Sequence, residues 1–304
     1  MSASLAQRMA RLLPAAAPPT PAHGAATPGV DALTELIARI ERLHGGKHLA
    51  APAAAPVAEL AAALDGELLE GGIVRVRRNY PLTHRHGDQA LGQLAACTQD
   101  HAGALRWPRR IAPQRLLFFD TETTGLAGGS GTLAFMVGVG RLAGASFVLT
   151  QYFMQNFAAE AALLAALAGE IYAESVLVSF NGRSFDAPLI ATRCQLARRP
   201  DPLAALPHLD LLHALRRAAA GQLPNCRLQS AEAALLGLTR KDDLPGQLAP
   251  RAWTRWLGER RADWLAALAQ HNRDDILSLA VLLPLLAGEP ARLCEAPAPL
   301  RRRA

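Results

Sequence analysis

Asp120 follows the apolar run Leu116-Leu117-Phe118-Phe119, and Glu122 lies two residues further on. Alternate side chains of an extended chain share a face, so both carboxylates leave the end of a buried strand on the same side. Their mutual repulsion in a partly dry site is large unless cations bind between them, so the pair reads as a ligand set for divalent metal. At average residue usage roughly one Asp-x-Glu is expected by chance in a chain this long. Position is what distinguishes this one, because polar groups at the carboxyl end of a buried strand commonly face a site. The competing reading is a surface turn with two solvated acids.

Other residue types offer weaker chemistry. His84 and His86 would share a face of an extended segment, as a metal pair needs. With no third ligand nearby, a solvated or nucleic-acid-facing strand end is the better reading. Cys97, Cys194, Cys226 and Cys294 are scattered and form no C-x-x-C pair, which argues against a zinc ribbon or a small disulfide scaffold and for a reducing cytoplasm. The net charge of +6 favours an anionic partner such as nucleic acid. Arginines cluster at 106–110, 216–217, 260–261 and 301–303, and only the first group stands out as a phosphate contact; isolated pairs are more often solvated faces. Trp253, Trp256 and Trp264 fall at partial helical spacing, where core packing is a better account than base stacking for at least two of them.

The elements that must position these groups follow from pattern. Residues 1–57 are read as a flexible Ala/Pro-rich region, interrupted by an amphipathic helix over 31–44 whose Leu33, Leu36, Ile37, Ile40 and Leu43 form one stripe. That stripe is a packing face or a docking element for a partner that nothing identifies. Residues 58–110 form a β-containing extension with an alternating run over 72–78. The main domain is expected over 111–290, with a basic tail over 291–304. Within it, strands are predicted over 116–119, 133–139, 147–153 and 175–180. Helices are predicted over 160–174, 188–197, 209–219, 230–236 and 262–286, the last long enough to contain a break. Three strands, then helix and strand, define an α/β fold with a mixed central sheet flanked by helices. The early residues lack an apolar core of secretory length and no later stretch approaches twenty apolar residues, so neither export nor a membrane span is expected.

The words Phe119-Asp-Thr-Glu-Thr-Thr-Gly-Leu126 closely resemble the first motif of the proofreading-type, four-acid (DEDD) 3′→5′ exonucleases, whose fold is ribonuclease H-like. Two further motifs stand in the family's order. Val178-Ser-Phe-Asn-Gly-Arg-Ser-Phe-Asp186 supplies Asn181 and Asp186 after an apolar run, and His271-Asn-Arg-Asp-Asp275 places His271 and Asp275 at i and i+4, on one helix face. The Ala-Gly-Gly-Ser-Gly-Thr insertion over 127–132 and the Phe-Met-Val-Gly-Val-Gly run over 135–140 are similar to the bacterial YprB-type ribonuclease H-like proteins in particular.

The resemblance implies two-metal hydrolysis. Asp120, Glu122, Asp186 and Asp275 would hold two Mg²⁺ or Mn²⁺ ions roughly 4 Å apart, one activating water and the other stabilising the leaving 3′ oxygen. It implies that His271 orients or deprotonates the water, that Thr123, Thr124 and Gly125 approach the terminal nucleotide, and that Asn181 positions the strand. The partner implied is DNA or RNA presented as a single-stranded 3′ end. One feature departs from the pattern: family members with His place it five residues before the last Asp, and the four-residue spacing normally carries Tyr. A helix-surface role for His271 therefore stays open. Asp274 is a rival ligand whose direction lies about 100° away from that of Asp275 on an ideal helix. Asp210 is either a further acidic position of such enzymes or a helix N-cap. Besides an exonuclease, the residues admit a nucleic-acid-binding module that does not cut and a structure-selective endonuclease.

Overall fold

The computed structural model describes residues 56–97, 105–107, 112–125, 131–219, 222–241 and 243–288. The expected helix over 31–44, Arg109 and Arg110 of the first arginine group, and the basic tail lie outside them. The sheet is built on β5 (Leu116–Thr123), whose four leading apolar residues are buried on both faces, as a central strand requires. Its antiparallel neighbour is β6 (Ala134–Ala143). A two-residue hairpin with Gly144 at φ +59° then turns the chain into β7 (Ser146–Met154).

On the outer side of β7 runs β2 (Ile73–Pro81), paired over its full length and followed at the edge by β1 (Glu67–Leu69). Two strands of the segment read as an extension thus belong to the same sheet, while β3 (Arg85–His86) and β4 (Gln89–Ala90) pair as a separate two-stranded ribbon. On the other side of β5 come β8 (Val176–Ser179) and β9 (His208–Asp210), both parallel to it, giving the order β1-β2-β7-β6-β5-β8-β9. Because β5 and β8 are parallel, their carboxyl ends open at the same edge, so the acids after Phe119 and the loop after Ser179 are neighbours.

Helices cover both faces. The described ones include α1 (Pro56–Leu64), α2 (Gly92–Ala95), α3 (Glu160–Gly169), α4 (Asp186–Leu196), α5 (Leu211–Ala218), α6 (Leu228–Ala231), α7 (Ala249–Glu259) and α8 (Asp263–Ala287). Residues 209–219 are not one helix: Leu209 belongs to β9, and α5 starts only after Asp210, whose side chain accepts a hydrogen bond from the Leu212 amide at 3.0 Å. The helix over 262–286 has no break, since Pro284 falls near its end. After α6 the chain widens into a π turn over Glu232–Leu236, closed by Gly237 at φ +63°.

Alternation along β5 divides the interior in two. Leu117 and Phe119 enter one core, with α1, α3, α4 and α7; Leu116 and Phe118 enter the other, with α5 and the second half of α8. Each such Leu or Phe contributes about 1.5–3 kcal/mol by leaving water. α8 serves both cores, Trp264 to Leu268 in the first and Ile276 to Ala287 in the second, and its polar stretch 271–275 lies between them. Two glycines let it approach the sheet: a Cβ at Gly138 would stand 2.1 Å from Asn272 Oδ1, and one at Gly140 would stand 2.6 Å from Ile276 Cγ2.

Candidate active site

The edge where β5 and β8 end, crossed by α8, brings together the acids of all three motifs. Asp120 and Glu122 come from β5, Asp186 is the first residue of α4, and His271 and Asp275 come from adjacent turns of α8. Glu122 is buried, and Asp120 and Asp186 are half-buried. The Asp120 carboxyl is held well above the usual carboxylate range, first by burial and then by Asp275, Asp186 and Glu122. Burial likewise pushes Glu122 up to about 8, with Asp275 and Asp186 adding to it and His271 opposing. Asp186 rises to about 6 by burial, against its hydrogen bond from Thr121. Four acids of one sign therefore share a poorly hydrated space.

Each acid but Glu122 has a holder close by in the fold. Asn272 Nδ2 donates to Asp120 Oδ2 at 2.8 Å, and the Asn272 oxygen in turn accepts from Gln151 Nε2 at 2.8 Å, so this amide of α8 is tied to both β5 and β7. Thr121 Oγ donates to Asp186 Oδ1. Arg240 pairs with Asp275 and with the buried Glu232. Glu232 also accepts from Ser278 Oγ at 2.5 Å, and that oxygen meets His86 Nε2 at 2.8 Å. His86 is consequently inside the protein, with burial and nearby Arg240 holding its pKa down at about 4, rather than at a solvated or nucleic-acid-facing strand end as expected. His84 is half-buried beside the Tyr80 ring, at a centroid distance of 4.7 Å.

His271 is enclosed, not a surface histidine: its side chain is 12% exposed. Nδ1 lies 2.7 Å from Asp243 Oδ1, and Nε2 lies 3.7 Å from Asp275 Oδ2. Burial lowers its pKa, but Asp275, the Asp243 hydrogen bond and Glu122 outweigh that and push it up to about 10. Asp274 is directed elsewhere, accepting from Gln270 at 2.8 Å. Asp210 is a structural cap: beyond Leu212 it accepts from the amides of Asn181 at 2.8 Å and Arg183 at 3.1 Å, which fixes the loop carrying Asp186. Asn181 sits in that loop at φ +65°. Thr123 Oγ donates to the Gly125 carbonyl at 2.7 Å, and Thr124 Oγ accepts from the Leu133 amide at 3.0 Å, so both hydroxyls brace the turn after β5.

The tryptophans lie away from any base-stacking role. All three are buried, Trp253 stacked on Phe135 at 5.0 Å and Trp256 donating to the Gln155 carbonyl at 2.8 Å. Sequence reasoning missed Thr121, Gln151, Arg240, Asp243 and Asn272. Thr121 and Asn272 sit inside the motifs as intervening letters. Arg240 and Asp243 lie in a stretch without periodicity, where only the burial of a charged pair would mark them.

Among the described residues, no three His, Cys, Asp or Glu side chains are drawn together closely enough to hold a metal ion as they stand. Asn272, Thr121 and Arg240 hold Asp120, Asp186 and Asp275, respectively. In chemistry, however, the set fits a hard divalent cation: its donors are carboxylate oxygens, and the four carboxylates outnumber Arg240 and a protonated His271.

A ribonuclease H-type domain is the class these features define, and the family model of the RNase_H superfamily matches residues 117–287. The chain belongs to that superfamily. It is 35% identical over 210 residues to the uncharacterized protein YprB of Bacillus subtilis strain 168, covering 67% of this chain and 50% of that protein, so it spans about half the length of its relative. Among solved structures, E. coli Exonuclease I in complex with a dT13 oligonucleotide aligns over 59% of this chain and 42% of that one, at 16% identity and a TM-score of 0.40. The family B DNA polymerase of Pyrobaculum calidifontis aligns over 76% of this chain and 33% of that one, at 14% identity and a TM-score of 0.44. Among the described residues no helix is long and apolar enough to cross a membrane.

Proposed function

We propose that this chain is a metal-dependent 3′→5′ exonuclease that hydrolyses phosphodiester bonds at the end of a DNA or RNA strand. The observation that carries the reading is the gathering of Asp120, Glu122, Asp186 and Asp275 at one sheet edge, where burial and mutual repulsion raise the acids' affinity for positive charge. Direction and the 3′ end rest on the likeness of the three motifs to four-acid exonucleases. The four acids would hold two Mg²⁺ or Mn²⁺ ions; bound there, the cations supply Lewis-acid chemistry, lowering the pKa of water and offsetting charge on the phosphoryl group.

The protein's own groups would do the rest. Asn272 and Thr121 fix Asp120 and Asp186, so the ligand set does not reorganise during the reaction. His271 Nε2 would take the proton of the attacking water; the surrounding carboxylates hold the imidazole charged, and compensation of their charge is what frees it to act as a base. The braced turn Thr123–Gly125 and the Asn181 loop would border the terminal nucleotide. The test is incubation with 5′-labelled single-stranded DNA and RNA in Mg²⁺ or Mn²⁺, beside Asp120→Ala and EDTA controls. A ladder shortening from the 3′ end and absent from both controls is expected. Larger internal fragments would mean an endonuclease, and bound but intact substrate a module that does not cut.

A further inference from the structure

We infer that Asp243 is a positioning residue of this site: it fixes the His271 ring so that Nε2, and not Nδ1, is the nitrogen turned to the reacting centre. The inference rests on the exonuclease reading only for its effect on rate; the orientation itself is independent of it.

An imidazole on a helix keeps a broad, roughly two-fold χ2 torsion, and a ring flip exchanges which nitrogen faces the site. On α8 itself, Asp275 Oδ2 faces Nε2 only at 3.7 Å, beyond hydrogen-bond distance. The choice comes from the irregular stretch before α7. Asp243 Oδ1 stands 2.7 Å from His271 Nδ1, closer than the 3.4 Å of the Arg240 Nη1 donor on the same nitrogen, and a carboxylate oxygen accepts, so Nδ1 carries a hydrogen. Asp243 is itself held in place: its Oδ2 accepts from Gln229 Nε2 at 3.0 Å and lies 3.7 Å from Arg240 Nη1. With the Asp243 side chain 10% exposed and that of His271 12%, water competes poorly for this contact.

On the opposite edge of the ring, Nε2 lies 3.7 Å from Asp275 Oδ2. It also faces Gly246, where a Cβ would stand 3.4 Å from Nε2 and 3.9 Å from Glu122 Oε2. The stretch thus ties down the back of the ring and leaves out a side chain in front of it, where a water and a phosphoryl group need room. This supplies what the four-residue spacing of His271 and Asp275 leaves unset: a ring shorter than the tyrosine usual at that spacing, oriented from outside its helix.

A general base oriented by a carboxylate loses rate when the carboxylate is removed, without loss of substrate binding. The experiment compares wild type, Asp243→Ala, Asp243→Asn, His271→Ala and the double variant Asp243→Ala/His271→Ala. Proton–nitrogen NMR of the metal-free proteins is expected to show a downfield, exchange-protected His271 Nδ1–H signal that Asp243→Ala abolishes. In Mn²⁺, kcat on a 5′-labelled oligonucleotide should fall about 10–100-fold in Asp243→Ala with KM within about twofold. It should fall less in Asp243→Asn, which keeps an acceptor oxygen and the native volume. The double variant should be no slower than His271→Ala. Persistence of the Nδ1–H signal in Asp243→Ala would overturn the inference, as would single-variant losses that multiply in full in the double variant. If no protein cuts any oligonucleotide yet the signal disappears with Asp243, the exonuclease reading fails and the positioning role stands.

Discussion

The end of β5 and the stretch from Arg240 to Gly246 meet at the same imidazole, yet they contribute opposite things. The strand end is regular and gathers like charge: Asp120 and Glu122 are forced side by side by the two-residue period, and burial raises both carboxyls. The stretch before α7 is irregular and brings compensation, with Arg240 on Asp275 and Glu232, and Asp243 on His271. The first arrangement lowers stability where the cations are proposed to bind, and the second restores part of it. The proposed site thus divides into acids that repel one another and residues that hold them, which need not touch a substrate.

Variants on the two sides therefore differ in what they lose. Asp120→Asn keeps an oxygen facing Asn272 but removes a buried charge. Cleavage should fall on the order of 10³-fold, as when one charge-stabilising group is taken from a site, while the metal-free melting temperature stays level or rises. A drop of several degrees without metal would break the comparison. Arg240→Ala should do the reverse to the fold. It strands Glu232, 1% exposed, and Asp275 without their cation, and loss of one partner of a buried pair costs about 3–5 kcal/mol. Urea unfolding in EDTA measures it directly.

The same contrast explains what could be read from sequence. The acids of β5 follow an apolar run, so the strand period exposes them, whereas Asn181, Asp186, His271 and Asp275 become legible through the resemblance of their motifs, in order, to those of four-acid exonucleases. β9 was hidden because His208-Leu-Asp210 is too short to alternate and is followed at once by the helix that Asp210 caps. The burial of His86 was hidden because its partners, Ser278 and Glu232, are far away in the chain and only packing joins them. Arg240 and Asp243 belong to the same class: no local pattern marks a charged residue whose partner is some thirty positions away.

Gly138 sharpens the comparison from the strand side, because it lets α8 lie against the sheet. Its Cβ would strike the Asn272 amide from 2.1 Å, so Gly138→Ala should cost about 1–3 kcal/mol through overpacking and loosen the hold on Asp120. Denaturant midpoints and cleavage rate should fall together.

The acids also set a pH dependence. Glu122 and His271 both bind their protons more tightly folded than unfolded, at about 8 and about 10. Their contribution is fully present below their ordinary values and is lost as pH rises through the shifted ones. Melting temperature in EDTA should therefore decline from pH 5 to pH 9, and Mn²⁺ should flatten the decline by replacing protons as the compensating charge. At a hundredfold excess over its dissociation constant a cation adds about 2.7 kcal/mol. A metal-free protein that grows more stable over that range would contradict the crowding of acids.

The smallest effect belongs to the nearest neighbour of a site residue. Asp274 and Asp275 are adjacent on α8, but the turn of about 100° per residue sends them to different surroundings. Asp275 meets Arg240 and the imidazole, whereas Asp274 accepts from Gln270 at 2.8 Å one helical turn away. Hydrogen-bonded pairs of this spacing on a helix surface are worth about 0.2–0.5 kcal/mol, and an amide in place of Asp274 keeps an acceptor. Asp274→Asn should leave cleavage within about twofold and the melting temperature within about a degree, while Asp275→Asn loses activity as Asp120→Asn does. Equal losses from the two neighbours would mean that both carboxylates reach the cations, and the ligand set proposed here would have to be redrawn around the pair.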